Sequence, residues 1–451
     1  MDATHATHAP ADRMPATPSR GGGPTDPSHD AKLRRGILET DVARPIALGL
    51  SALFLLLIYG IPLGQIAFEK VNDDDSSLLG LFERAPTREN LRLFEKEIEQ
   101  ASIPKEYVQP RMQLLLSRAG RAGNKRALVG KAGYLYYVPG ITHLSGPSFI
   151  AADAIRDRER EAREVDDAAP IHADPRPAIF ALHDMLAKRG IRLVLFPVPD
   201  KAMLQPLELH GRGDATQPRA IGRNLGWADF TAQLRAHGVA LFDPTPAQLL
   251  PGETPRYLIQ DTHWTPAWMR AVAGELAKFV TQIGGLPPSA EAPKWRAVAQ
   301  PVERVGDIVD MLKLPDEQAL FRPQAATVYQ VQDEQEQPWE PDPNGDVLLL
   351  GDSFTNVFSM DTMGWGEAAG LAPTLALALG RGVDVIAQND SGAFATRVAL
   401  SRALAAGEDR LAGKKVVIWE FASRELSVGD WKPIDWEDTL RQAARTEAAA
   451  R

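Results

Sequence analysis

Residues Asp346–Phe358 read D-V-L-L-L-G-D-S-F-T-N-V-F. Val347–Leu350 is a short unbroken apolar run, the pattern of a strand buried on both faces. Gly351 then lets the chain turn sharply out of the strand. Ser353 would stand at the head of the following helix or turn. Free backbone N–H groups and the helix dipole can stabilise a developing oxyanion there. A serine nucleophile needs that geometry, yet G-D-S by itself is a turn at least as often as an active site.

The same strand-then-helix rhythm extends in both directions. R-L-V-L-F-P-V-P (192–199), V-A-L-F-D (239–243), V-D-V-I-A (383–387) and K-V-V-I-W-E-F (415–421) read as strands. Helical patterns occupy 177–189, 218–237, 265–283, the run up to Leu379, and the stretch from Ala393. Short apolar strands separated by helices predict a three-layer α/β domain with a mostly parallel sheet over residues 120–435. Residues 285–345, rich in Pro and Glu, read as an irregular insertion, and 436–451 as a helical tail. Residues 69–119 hold two juxtamembrane helices: Leu91, Leu93, Phe94 and Ile98 give the first an apolar stripe, and Pro104 separates it from the second.

Ile46–Phe68 carries no charge and is long enough to cross a bilayer of about 30 Å. Lys32, Arg34, Arg35 and Arg44 precede it; Asp73, Asp74 and Asp75 follow. The positive-inside rule then predicts a single-pass inner-membrane protein with a cytoplasmic N-terminus and a periplasmic main domain. The Ala-, Pro- and Gly-rich residues 1–45 form a cytoplasmic tail that cannot bury enough apolar surface to order itself. His5, His8 and His29 in that tail have irregular spacing and do not suggest a metal site.

The chain of 451 residues has 50 Lys+Arg against 59 Asp+Glu, a net charge of -9. That balance argues against nucleic acid as a partner. There is no cysteine, which excludes thiol catalysis, disulfides and cysteine-ligated metals.

A serine nucleophile needs a base. Asp261 and His263 lie in Q-D-T-H-W-T-P-A-W (260–268). Thr265 is a good N-cap and Pro266 suits the first helical position. Trp268, Val272, Leu276, Phe279 and Ile283 then give the helix a buried stripe, so the loop before it is held firmly. Asp261 can accept from one imidazole nitrogen and leave the other for a serine. Metal ligation is the rival reading of this pair; it lacks a second well-placed histidine, because His143, His172, His183, His210 and His237 sit in unrelated contexts. No metal and no cofactor is expected. Further candidates for oxyanion or substrate contact are Gly351, Asn389, Trp264, Lys201 and Arg397, each with an ordinary structural reading beside it. Asn389 in I-A-Q-N-D-S-G-A-F-A-T-R (386–397) could donate to an oxyanion or make a turn, and the same holds for Asn356. Lys201 could meet an anion or lie solvated at a strand end. Trp264 could stack on a sugar or belong to the core.

With D-T-H-W before G-D-S-F, the sequence resembles the alginate O-acetyltransferase family, the SGNH-hydrolase-like periplasmic proteins of the J and X types. G-K-A-G-Y-L-Y-Y (130–137), V-P-D-K-A (198–202) and V-V-I-W-E-F-A-S-R-E-L (416–426) carry the resemblance further. In that family, as here, the Asp-x-His pair precedes the serine. The membrane-anchored J type is the closer match, because the chain ends soon after its last strand. The resemblance implies Ser353 as nucleophile, His263 as general base and acid, and Asp261 as orienting carboxylate. It implies O-acetylation of an exported polysaccharide, with a membrane-bound O-acyltransferase delivering acetyl. The long polar tail departs from the family and leaves the polymer open. Two alternatives keep other outcomes in view: a periplasmic carbohydrate esterase with the same triad, and a non-catalytic polysaccharide assembly subunit.

Overall fold

The apolar runs expected as strands do form strands, and five of them lie side by side. The computed structural model describes residues 42–72, 77–165, 170–211, 222–244, 254–287, 293–389 and 392–450. The chain separates into two units, Met1–Ile103 and Pro104–Arg451. In the second unit β1 (Ala127–Val129) and β2 (Leu135–Tyr137) make a small antiparallel pair. The main strands are β3 (Arg192–Val198), β4 (Ala240–Leu241), β7 (Val347–Gly351), β8 (Val383–Ala387) and β9 (Val416–Ala422). They form one sheet in the order β4-β3-β9-β7-β8. All of its pairings are parallel.

Parallel strands need crossover helices, and these cover both faces. The helices are α1 (Pro175–Lys188), α2 (Trp227–His237), α3 (Pro266–Gly284), α4 (Leu371–Leu379), α5 (Gly392–Ala405) and α6 (Trp436–Ala450). Strand alternation divides the core in two. Val194, Phe196, Val347, Leu349 and Ile418 pack with Trp268, Val272 and Leu276 of α3 and Leu375 of α4. Leu193, Leu195, Leu348, Leu350 and Trp419 pack with Ile179 and Leu182 of α1, Leu234 of α2 and Leu400 of α5. The result is the expected three-layer sandwich, with α3 and α4 on one face and α1, α2, α5 and α6 on the other.

Residues 285–345 are a correction to the sequence reading. They hold β5 (Arg296–Arg304) and β6 (Gln324–Gln332), paired antiparallel along their full length from Arg296↔Gln332 to Arg304↔Gln324. A short helix, Asp307–Leu312, lies between them. Density in Pro, Glu and Gln masked the period-two pattern of R-A-V-A-Q-P-V-E-R. Pro301 is tolerated because this two-stranded ladder consists of edges. Val328 and Val331 of β6 reach the core beside α3.

In the first unit, Arg44–Val71 is one helical run of 28 residues with mean hydropathy 2.3 over its most apolar window. At 1.5 Å per residue it spans about 42 Å, more than a bilayer core needs. It extends the expected segment 46–68 at both ends. Pro62 interrupts the ladder, and the wider turn Leu56–Gly60 just before it absorbs the missing donor. Gln65 and Glu69 are buried within this unit: Gln65 Nε2 donates to Glu69 Oε1 at 2.8 Å and to Ala101 O at 2.7 Å. The helix Arg88–Ala101 starts at Thr87, whose Oγ1 accepts from Asn90 N at 3.2 Å. The flanking charges Lys32, Arg34, Arg35, Asp73, Asp74 and Asp75, and the histidines His5, His8 and His29, lie outside the described residues.

The stripe expected on α3 holds at Trp268, Val272 and Leu276, which are fully buried, and Val280 completes it. Phe279 and Ile283 are only partly covered. Trp268→Ala should cost about 3–5 kcal/mol of stability through the cavity it leaves. Leu225→Ala, at a side chain 80% exposed, should cost under about 0.5 kcal/mol. Denaturant unfolding of the full chain in detergent, followed by tryptophan fluorescence, measures both.

Candidate active site

The turn after β7 is built from carboxylates. Asp352 is extended and caps the helix Ser353–Asn356. Its Oδ1 accepts from Phe354 N at 2.8 Å and its Oδ2 from Ala422 N of β9 at 2.8 Å. Glu420 Oε2 accepts from Asp352 N at 3.0 Å and from Thr355 Oγ1 at 2.7 Å. Burial, and then the charge of Asp352, push the Glu420 carboxyl well above the usual carboxylate range. Both effects favour its neutral form.

Gly351 is needed here, for a different reason than turning freedom. A Cβ at this position would stand 2.2 Å from Thr355 Oγ1. The glycine lets the helix fold back against its own strand. The helix head is also less open than the sequence suggested. Phe354 N is taken by the Asp352 side chain, and Thr355 N and Asn356 N by the Asp352 carbonyl. Only the amide of Ser353 itself has no partner among the described residues.

The Asp-x-His loop approaches from the other side. It is pinched at its base by a bridge between Tyr257 and Trp264, with Leu258 N donating to His263 O at 3.1 Å and Thr265 N to Arg256 O at 2.8 Å. Thr265 caps α3 by accepting from Trp268 N at 3.3 Å, and Pro266 opens the helix. This rigid start places His263. Its Nδ1 lies 2.6 Å from Asp261 Oδ1, and its Nε2 lies 2.8 Å from Ser353 Oγ. The Phe354 ring stands edge-on to the imidazole, with centroids 4.8 Å apart.

Asp261 is buried and surrounded by donors. Oδ1 also accepts from His263 N at 3.0 Å, and Oδ2 accepts from Trp365 Nε1 at 3.0 Å and Asp307 N at 3.2 Å. Burial works against its charge, but the His263 charge and these hydrogen bonds outweigh it and lower the carboxyl below its ordinary value. His263 is the counterpart: burial disfavours its charged form, and Asp261 more than compensates, raising the imidazole above its ordinary value. With an ionised carboxylate on Nδ1, that nitrogen carries the proton. Nε2 is left to accept from Ser353 Oγ.

Three residues that sequence reasoning missed complete the loop. Asp307 accepts from Thr262 N at 2.7 Å and Thr262 Oγ1 at 2.6 Å. Gly306 lies against the Gln260–Asp261 peptide so closely that a Cβ would meet Gln260 O at 2.3 Å. Trp365 holds the far oxygen of Asp261. V-G-D-I (305–308) repeats the apolar-Gly-Asp pattern of L-G-D-S, a signal that could have been followed. Trp365 left none.

Lys201 is neither a substrate contact nor a solvated charge. It is buried, and its Nζ donates to Leu135 O at 2.7 Å, Ile259 O at 2.8 Å and Asp261 O at 3.1 Å. Burial pushes its ammonium down to about 7, against the nearby charges of Asp261, Asp307 and Glu208. Trp264 is also corrected: it is 0% exposed and packs edge-on against Phe354 and Trp268, so no ring face is open to a sugar. Arg397 is likewise fully buried, with Nη1 donating to Lys432 O at 3.0 Å and its guanidinium beside Trp419 in the opposite layer. Asn389 is exposed; its Oδ1 accepts from Asn356 Nδ2 at 2.8 Å. Asn356 follows Ser353 by one helical turn, which brings Asn389 to the same side of the sheet end as Ser353. Its neighbours Asp390 and Ser391 lie outside the described residues.

Asp307 supplies a third carboxylate or imidazole donor to Asp261 and His263, with ligand atoms within 4.8 Å of one another. Those atoms are already engaged: both Asp307 oxygens by Thr262, both imidazole nitrogens by Asp261 and Ser353. His183 and His237, read as unrelated in sequence, meet at Asp184 Oδ1, at 2.9 and 2.8 Å. They lie on α1 and α2, in the layer opposite α3.

Comparison with known proteins places the chain in a family. A family described as SGNH hydrolase-like domain, acetyltransferase AlgX, matches residues 158–423. A probable alginate O-acetylase AlgJ from Azotobacter vinelandii is 26% identical over 279 residues, 61% of this chain and 69% of its own length. The protein of that name from Pseudomonas fluorescens is 30% identical over 272 residues, 57% of this chain and 64% of its own. The solved O-acetyltransferase domain of Pseudomonas putida AlgJ aligns with TM-score 0.48 at 20% identity, over 72% of this chain and 99% of that one. The family match takes in more than half of the chain and contains Asp261, His263 and Ser353, so the protein belongs to the SGNH hydrolase-like, AlgX-type acetyltransferase domain family.

Proposed function

We propose that this protein O-acetylates an exported polysaccharide, alginate or a related exopolysaccharide, through an acetyl-enzyme on Ser353. The observation that carries the reading is the unbroken line Asp261 Oδ1–His263–Ser353 Oγ, at 2.6 and 2.8 Å. Ser353 Oγ attacks the acetyl carbonyl of the donor while His263 Nε2 takes its proton. The tetrahedral intermediate collapses, His263 returns the proton to the departing group, and the acetyl stays on Ser353. A sugar hydroxyl then gives its proton to His263 and attacks the ester carbonyl. The second collapse releases the acetylated sugar and restores Ser353 with that proton. Asp261 stays ionised throughout and holds the imidazole tautomer. The oxyanion donors are the free Ser353 amide and the Asn356–Asn389 side-chain pair.

The same reading gives the chain its layout. Residues 1–45 are a cytoplasmic tail, the apolar helix is a single-pass inner-membrane anchor, and residues 69–119 link it to a periplasmic catalytic domain at 120–435, followed by a helical tail at 436–451. A membrane-bound O-acyltransferase supplies the acetyl group from the cytoplasmic side. The relatives named as probable alginate O-acetylases support the polymer class. Ser353 is half-buried rather than sealed, so water is a competing acceptor. Acetate release without acetylated polymer would favour an esterase instead.

Ser353→Ala and His263→Ala should each lower turnover of an activated acetyl ester by at least about a thousandfold, and Asp261→Asn by roughly 10³–10⁴-fold through the wrong tautomer. Intact mass should show an acetyl adduct on the wild type and none on Ser353→Ala; an adduct on the variant would sink the assignment. Polymer modification surviving both Ser353→Ala and His263→Ala in cells would instead point to a non-catalytic assembly role. The base must be neutral to act, and its value is raised, so the acid limb of kcat/KM should fall above the ordinary 6.5. A pH series of ester turnover measures it. A periplasm-active reporter fused after residue 100 should be active, and one active only in the cytoplasm should be silent.

A further inference from the structure

Asp261 already satisfies the orienting role, yet a second carboxylate is built into the same loop. Asp307 is not placed there by chance packing. Gly306 admits the segment to within contact of the Gln260–Asp261 peptide, and Ile308 N donates to Gln260 O at 3.2 Å. The Asp307 amide then donates to Asp261 Oδ2, and its side chain accepts two hydrogen bonds from Thr262, one from the amide and one from the hydroxyl. A threonine hydroxyl has one proton. Once that proton points at Asp307 Oδ2, the hydroxyl can only accept from any other neighbour. The neighbour is His263 Nδ1, 3.2 Å from Thr262 Oγ1.

We infer that Asp307 is a positioning residue for this site: by holding the Thr262 proton it aims an oxygen lone pair at His263 Nδ1 and gives the imidazolium a second acceptor beside Asp261. The inference rests on the catalytic reading of Ser353, His263 and Asp261. Its physical effect is twofold. Two acceptors on one N–H restrict rotation of the ring about its own axis, keeping Nε2 on Ser353. The Asp307 charge also favours protonated His263, the state that forms as Ser353 attacks. The groups facing Asp307 are Asp261 and His263 on the loop, with the charge of Lys201 from beyond it; Arg424 acts on His263 in the opposite sense. Burial, with the charge of Asp261, pushes the Asp307 carboxyl up to about 6, so it is ionised where the enzyme would work above that pH.

The test uses the full chain in detergent and turnover of p-nitrophenyl acetate. Asp307→Asn should lower kcat by about tenfold or more with KM unchanged, since small misplacement of a catalytic group is costly. Its acid limb should move to lower pH, because a charge that raises His263 has gone. Thr262→Val should reproduce the kcat loss and also move the acid limb to lower pH, because His263 loses its second acceptor and Asp307 loses a hydrogen bond that favours its charged form. Thr262→Ser, which restores the hydroxyl, should recover wild-type kcat. Wild-type kcat and pH profile in Asp307→Asn, with Ser353→Ala inactive, would overturn the inference and leave the catalytic reading intact. Wild-type kcat in Thr262→Val would overturn the route through the hydroxyl. Full activity in Ser353→Ala would overturn the catalytic reading and this inference with it.

Discussion

A carboxylate taken out of water must be surrounded by donors or it will not stay ionised, and Asp261 is such a carboxylate. Much of the site can be understood as the answer to that demand. The imidazole and amide of His263 serve one oxygen; Trp365 and the Asp307 amide serve the other. Lys201 takes the Asp261 carbonyl and that of Ile259, so the backbone under the carboxylate is held as firmly as the side chain. Removing one partner from such a set leaves a buried charge short of donors, which is costlier than the partner's own bond is worth. The loop is therefore fixed by several distant elements at once.

The serine side obeys a related constraint with the opposite outcome. Asp352 and Glu420 are buried close together at the end of the parallel sheet, and burial together with the charge of Asp352 raises the Glu420 carboxyl. Between them they consume the Asp352, Phe354 and Thr355 donors and tie the turn to β9. Ser353 is thus set by two strands, β7 through the chain and β9 through hydrogen bonds. The short helix contributes position rather than a row of free amides. Gly351 permits this because its missing Cβ leaves room for Thr355.

Two rigid supports, α3 for His263 and the β7–β9 pair for Ser353, meet across one face of the sheet. Trp264 and Phe354, packed edge to face with ring centroids 5.3 Å apart, join them through the core. An aromatic residue beside a candidate base invites a reading as a ligand platform. Here it is the joint between the two halves of the site. Lys201 shows the same shift of role: a cation at a strand end becomes an internal clamp because the loop above it offers two carbonyls and Leu135 of β2 a third.

The amino-acid sequence by itself determined the strands and helices of the main sheet and which residues to look for at its carboxyl end. Apolar runs of strand length between helices required a parallel sheet with covered faces, because such strands have no face for water. Asp261, His263 and Ser353 were legible because a capped helix start and a strand-ending Gly-Asp-Ser are local patterns. The insertion at 285–345 was misread because its Pro and Glu content hid a two-stranded ladder whose pairing is non-local. Asp307, Trp365 and Lys201 lie 46, 104 and 60 residues from Asp261 in the chain. V-G-D-I marks Asp307 as part of a turn like that at Ser353 but does not pair it with Asp261, and the neighbourhood of Trp365 carries no mark at all. Only the tertiary structure could decide their roles, because hydrogen-bond supply to a buried charge depends on distance in space and leaves no periodicity in sequence.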